Sequence, residues 1–276
     1  MIRDLTQQAV KMSASAVDRL RVRHDGVVIL IYHRVGRRTS LEVDLPTSLF
    51  ADQMAALAEL GRVTTLDDAL DWLRAPDLSM GGTSVGPPIV VTFDDGTRDL
   101  ADIAMPILEQ YAIPATLYVA TEFIDRDLRF PADGRALSWA ALAEMVNTGL
   151  VTVGSHTHTH ALLDRLSPEA ATIEIATSAR LIGDHVGQRP VHFAYPKALA
   201  PSPLVDGLIR NSYRSAALAG TRANLRGRTD PHRLARSPIQ MGDGMHWFER
   251  KVRGGLTAED DLRRVVNRWR YDSVTN

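Results

Sequence analysis

Cysteine is absent from the 276-residue chain. That excludes disulfides, thiolate nucleophiles and cysteine-ligated zinc, so any metal must be held by His, Asp or Glu. Lysine is nearly absent too: Lys11, Lys197 and Lys251 are the only lysines among 32 basic residues. This arginine bias reads as a genome-composition effect and carries no functional message. The formal net charge is -1, so no global basic field draws the chain to nucleic acid or an anionic membrane. No run approaches the roughly 18 apolar residues of a membrane span. The opening stretch, MIRDLTQQAVKMSASAVDRLRVRHDG, is charged throughout and has no continuous apolar core, unlike a secretory signal. The expectation is a cytoplasmic protein, with export open only if translation starts upstream of Met1. No internal repeat or low-complexity tract is visible.

What is present is an alternation of short apolar runs and amphipathic stretches. VVILIY (27–32), PIVVTF, ATLYVA, VTVGS, PVHFAYP and YRSAAL have strand length and character. Between them, SLFADQMAALAELG places Phe50, Met54 and Leu57 at helical spacing, with Gly61 where a C-terminal glycine belongs. TTLDDALDWL is a second, short helix. Leu100, Ile103, Ala104, Ile107, Leu108 and Tyr111 mark one face of another. SWAALAEMVNTG has Ser138 as its N-cap, and SPEAATIEIATSARLIGDHVG opens on a Ser-Pro start signal. LVDGLIRN is helical. EFIDRDLRFPADGRA and LSMGGTSVGPP read as loops. The last segment, HWFERKVRGGLTAEDDLRRVVNRWR, reads as helical, with its arginines on a solvated face.

Buried-type strands alternating with helices predict a parallel sheet covered on both faces, either an α/β barrel or an open doubly wound sheet, in a single domain. In both architectures, function sits at the C-terminal ends of the strands. Those ends here read Tyr32-His33, Asp94-Asp95, Ser155-His156 and Tyr195-Pro196. Ligand-capable residues thus recur at one end of strand after strand.

Two stretches concentrate the chemistry. In VVTFDDGTRDL, Asp94 and Asp95 follow a buried-type strand, where adjacent carboxylates repel and lose hydration unless something compensates. In GSHTHTHALL, three histidines stand at alternate positions. If the chain turns helical at Gly154-Ser155, His156 and His160 share a face. If the strand continues, His158 joins them. Two histidines and one carboxylate form a catalytic type of metal set that leaves coordination positions open. One aspartate would bind the ion, and its neighbour would stay ionised and take a proton from water. Neutral imidazole is required, so metal affinity is expected to fall as pH drops through about 6.

TFDDG and HTHTH, with YHRV upstream and FAYP downstream, make the chain from about Val27 to about Arg253 resemble the polysaccharide deacetylase family, also called NodB-homology or carbohydrate esterase family 4. The resemblance implies a distorted (β/α)7 barrel over 27–253, with an N-terminal extension (1–26) and a C-terminal helical tail (254–276). It implies a metal-dependent enzyme that removes N- or O-acetyl groups from sugar polymers. By position, Asp94 resembles the general base, and Asp95, His156 and His160 resemble the metal ligands. His158 fills a variable position, and Thr157 matches a Ser/Thr that supports the ligands. The implied cofactor is zinc; mixed His/Asp ligation also accepts cobalt, nickel, manganese or iron. The implied mechanism is attack of water on the acetyl carbonyl, the oxyanion being met by the ion and a backbone N–H.

Two parts of the family pattern are missing. Where it has R-x-P-Y, this chain has Ala194-Tyr195-Pro196-Lys197, so the arginine and the tyrosine are replaced. Arg236, in RLARSPI, is the candidate to supply the lost charge. The late Leu-x-His that would supply a general acid is also not evident. His33 is the preferred substitute because it ends the first strand; His246 is the second candidate, and His232 reads as a loop residue. Trp139 and Trp247 are candidates for stacking on a sugar, although packing is the more common fate of tryptophan. The expected partner is an acetylated sugar or oligosaccharide, with N-acetyl preferred. The alternatives are a hydrolase of C–N bonds in a small amide and a non-catalytic carbohydrate-binding protein.

Overall fold

The computed structural model describes residues 26–75 and 86–256. The central sheet is built from β1 (Gly26–Tyr32), β2 (Ile89–Phe93), β3 (Ala115–Val119), β4 (Val151–Ser155), β5 (His192–Ala194) and β6 (Ser215–Ala217). Each pairs in parallel with the next. Strand order therefore follows chain order, which is the winding of a barrel and not of a doubly wound sheet, whose order reverses.

The curl is closed by the segment 234–239. Leu234 bridges Ala217 beside β6, and β8 (Ser237–Pro238) pairs in parallel with Leu30 and Ile31 of β1. A seventh stave thus touches both ends of the sheet, and the fold is the distorted seven-stranded barrel that was expected. The short β7 (Asn224–Leu225) runs antiparallel on the other end of β1, which makes the sheet mixed.

The staves are apolar because both faces are covered. All seven residues of β1 and all five of β2 are buried. The covering helices are α1 (Thr47–Leu60), α2 (Leu66–Arg74), α3 (Met105–Gln110), α4 (Thr121–Asp125), α5 (Trp139–Asn147), α6 (Pro168–Val186), α7 (Pro203–Ser212) and α8 (Gly244–Val252). Phe50, Met54 and Leu57 of α1 are buried, and Gly61 ends that helix in the left-handed conformation. Ser138 and Ser167 cap α5 and α6 as the sequence predicts, each accepting from an amide three residues on.

Three elements differ from the sequence reading. The helix after β2 begins as a π-turn, Leu100–Ala104, in which the Met105 N–H reaches back to the Leu100 carbonyl. Pro106 explains this: it has no N–H to donate, and its ring would strike the carbonyl four residues back. The stretch EFIDRDLRFPADGRA is more than a loop, because it contains most of α4 and a small hairpin pairing Arg129–Phe130 with Gly134–Arg135. The C-terminal helix stops at Val252, where Gly254 takes a left-handed φ of 70°. The rest of the expected helical tail, nearly all of the N-terminal extension and most of the glycine-proline loop lie outside the described residues. Among the described residues, no helix is long and apolar enough to cross a membrane.

Candidate metal and catalytic centre

The ends of neighbouring strands named by the sequence come together: the Asp94 N–H donates to the Tyr32 carbonyl, and the His156 ring lies beside Asp94 and Asp95. β2 runs into Asp94, and the chain then turns sharply: Asp95 has φ 75° and Gly96 φ 94°. The left-handed pair sends the two carboxylates to different partners. Gly96 suits a position that an L side chain rarely adopts, and a Cβ there would approach Val119 to 3.1 Å.

Asp95 Oδ1 lies 3.5 Å from His160 Nε2 and 3.8 Å from His156 Nε2. The three donor atoms fall within 4.8 Å of one another, and this is the one such group among the described residues. Two donors about 2.1 Å from an ion at a tetrahedral angle would stand about 3.4 Å apart, so the trio fits a single divalent ion after small adjustments. The hydrogen bonding of His156 supports the same reading. Its Nδ1 lies 2.8 Å from the carbonyl of Ala194, which can only accept. The proton is therefore on Nδ1, and Nε2 presents a lone pair to the cluster.

The loop carrying these histidines is not a helical turn. His156–His160 follow β4 as irregular chain, with left-handed φ at Thr157 (66°) and His160 (60°). These kinks, not helical spacing, turn both rings toward Asp95. The His158 ring instead places Nδ1 2.9 Å from the Thr121 hydroxyl, outside the trio. The Thr157 hydroxyl is buried and makes no hydrogen bond among the described residues.

Asp94 has a different partner. The guanidinium of Arg236 donates to both of its oxygens, NH1 to Oδ1 at 2.6 Å and NH2 to Oδ2 at 2.8 Å. The same guanidinium bonds Thr92 Oγ1 and the Leu218 carbonyl and lies over the Tyr118 ring. Both residues are buried. Burial by itself would raise the Asp94 pKa, but the charge of Arg236, the nearby His156 and the direct hydrogen bonds together hold it well below the usual carboxylate range. Asp94 therefore stays ionised while remaining 4.0 Å from His156 Nε2.

Burial also lowers the pKa of both histidines. His156 shifts down despite the two aspartates, and His160 falls to about 4, first from burial and then from the proximity of His156. Burial thus favours the neutral form of both imidazoles, so proton competition for a metal sets in at lower pH than free histidine would give.

His33 ends β1 close enough for its charge to act on Asp94. Its Nδ1 is shielded from solvent and unpartnered among the described residues. His246 is exposed on α8 with its ring against Trp247. His232 bonds the Tyr213 carbonyl, a loop role as expected. Trp247 is buried beside Leu256, and Trp139 stacks on His185, so both tryptophans pack within the protein. Sequence reasoning missed Thr121 and the Ala194 carbonyl, whose contacts arise only when separate strand ends meet.

Comparison with known proteins bears on the fold. The family model described as polysaccharide deacetylase matches residues 81–216, a span that holds Asp94, Asp95, His156 and His160 but neither His33 nor Arg236. A polysaccharide deacetylase domain therefore spans residues 81–216. A poly-beta-1,6-N-acetyl-D-glucosamine N-deacetylase from Staphylococcus epidermidis is 25% identical over 217 residues, 70% of this chain and 72% of that protein. IcaB from Ammonifex degensii superposes with a TM-score of 0.69 at 25% identity, covering 83% of this chain and 98% of that one. The Streptococcus pyogenes deacetylase PplD, solved with acetate, also has a TM-score of 0.69 at 20% identity, over 83% of this chain and 99% of its own; it shares the fold.

Proposed function

We propose that this chain is a metal-dependent hydrolase that removes acetyl groups, preferentially N-acetyl, from a carbohydrate. The observation that carries the reading is the division of labour within the doublet. Asp95 stands beside the Nε2 atoms of two imidazoles, while Asp94, its neighbour in sequence, is gripped by an arginine and kept ionised beside the same group.

Asp95, His156 and His160 would hold a divalent ion, with zinc the first candidate and cobalt, nickel, manganese or iron compatible with the same donors. Such an ion supplies Lewis acidity toward the acetyl oxygen and makes water a better nucleophile near neutral pH. The chain's own residues do the rest. Asp94 accepts a proton from the attacking water as its oxygen bonds to the acetyl carbon. Arg236 fixes the carboxylate and keeps it charged. His33, on the same barrel face, donates a proton to the departing nitrogen as the C–N bond breaks, which leaves acetate and a free amine. The relative from Staphylococcus epidermidis, whose name specifies poly-beta-1,6-N-acetyl-D-glucosamine, supports an N-acetylated glycan as substrate.

Acetate release tests the proposal. Metal-loaded protein is incubated with acetylated chito-oligosaccharides and, separately, with small acetamides. Release from the oligosaccharide, abolished in Asp94→Asn while about one metal per chain is retained, is the expected result. Release from acetamides alone would move the substrate to small amides. No release from either, with metal bound, would leave a carbohydrate-binding protein.

A further inference from the structure

The segment that presents His156 and His160 is irregular and carries two non-glycine residues at left-handed φ, Thr157 and His160. Each such residue costs on the order of 1 kcal/mol, so the conformation needs support from outside the segment. Part of that support comes from α4: the Glu122 N–H donates to the His158 carbonyl at 2.8 Å, and the Thr121 N–H lies 3.4 Å from the Thr157 carbonyl. These contacts satisfy acceptors and leave the segment's own donors to be met from elsewhere.

The His156 N–H donates to the Val119 carbonyl, and one carboxylate meets the donors of His158 and Thr159. Glu174, on the second turn of α6, accepts from the His158 N–H (2.9 Å) and the Thr159 N–H (2.8 Å) through Oε2, and from the Thr159 hydroxyl (2.9 Å) through Oε1. Three donors from two successive residues therefore converge on a single anionic side chain reaching from a 19-residue helix. Charge-assisted bonds of this kind are roughly twice as strong as neutral ones. Residues 158 and 159 lie between the two imidazole ligands in sequence, so fixing their amides fixes the angle between the His156 and His160 rings.

We infer that Glu174 is a positioning residue for the metal centre: it clamps the His158–Thr159 peptide from outside and holds His156 and His160 in the convergent arrangement. It touches neither substrate nor ion. The inference rests on the metal-site reading of Asp95, His156 and His160. It is distinct from that reading because Glu174 is not one of the three donors and stands on a different element.

The test is a titration of the folded, metal-stripped protein with Zn2+ against a competing chelating dye, for wild type, Glu174→Gln, Glu174→Ala and Asp95→Asn, with the Co2+ absorption spectrum recorded in parallel. Supporting shells of this kind typically contribute 10- to 100-fold to metal affinity. Glu174→Ala is expected to weaken Zn2+ binding about 10-fold or more and to alter the Co2+ spectrum. Glu174→Gln, which can still accept from both amides through one oxygen, is expected to fall in between, and it is the informative variant should the alanine form be insoluble. A clamp that served only overall stability would lower the melting temperature and leave affinity and spectrum unchanged. Affinities within twofold of wild type in the Glu174 variants, with Asp95→Asn defective, would overturn the inference. Undiminished binding in Asp95→Asn would instead overturn the metal-site reading itself.

Discussion

Arg236 and Asp94 stand 142 positions apart in the chain and meet as a two-pronged pair, both carboxylate oxygens held by both terminal guanidinium nitrogens. A planar fork matches a carboxylate in a way that an ammonium cannot. Arg236→Lys should therefore keep a charge near Asp94 but lose its orientation. Acetate-release turnover is expected to fall about 10- to 100-fold, within the range set by a positioned base, with metal content unchanged. Undiminished turnover in this variant would rule out the orienting role. Arg236→Met leaves a buried carboxylate alone and should destabilise the fold by about 3–5 kcal/mol in urea unfolding.

Metal dependence has its own readout. A chelator should inactivate the enzyme, and a divalent ion should restore it. Single alanine substitutions of Asp95, His156 or His160 should each lower bound metal, measured by elemental analysis after dialysis, to well below one per chain. Full activity after exhaustive chelation would contradict the scheme.

For His33, the decisive comparison is between leaving groups. His33→Gln should slow hydrolysis of an N-acetyl amide by about 100-fold, because the departing amine needs a proton. An acetyl ester of a nitrophenol leaves readily without one, so its hydrolysis by the same variant should be nearly unaffected. An equal loss on both substrates would place His33 in a different role.

Acidification should destabilise the metal-free protein. The pKa values of His156, His160 and the buried His192 are all lowered in the folded state, each mainly by burial. The unfolded chain takes up protons near pH 6.5, and the folded chain does so only at lower pH. Stability from these groups is thus complete above about 6.5 and is lost as pH falls through the folded values, about 4 for His160. Urea midpoints at pH 7.5, 6 and 5 in a chelating buffer should decline in that order, and a flat profile would be the contrary result.

Gly154 gives a packing test two residues before His156, on the strand that leads into the proposed metal site. A Cβ at this position would lie 2.5 Å from Tyr118 Cδ1, and Tyr118 is the ring beneath the Arg236 guanidinium. Gly154→Ala should cost about 1–3 kcal/mol by overpacking, and by displacing Tyr118 it should also lower turnover. Thermal melts and acetate release on the same preparation read both effects.

The sequence by itself determined the staves, most of the helices, their caps and the end of the barrel where chemistry gathers, because strand and helix periodicity, serine caps and terminal glycines are local signals. It also narrowed the candidate metal donors, since with no cysteine only His and carboxylate remain, and TFDDG and HTHTH carry them at strand ends. Tertiary structure alone decided that the strands wind in chain order into a ring and not a reversing sheet, that His158 turns away to Thr121, and that left-handed backbone at Asp95, Thr157 and His160 aims the side chains. It also decided that Arg236 takes the place of the arginine missing at Ala194. A guanidinium can reach a carboxylate from any neighbouring stave, and which stave neighbours which is set by barrel closure, a long-range property that no window of sequence contains.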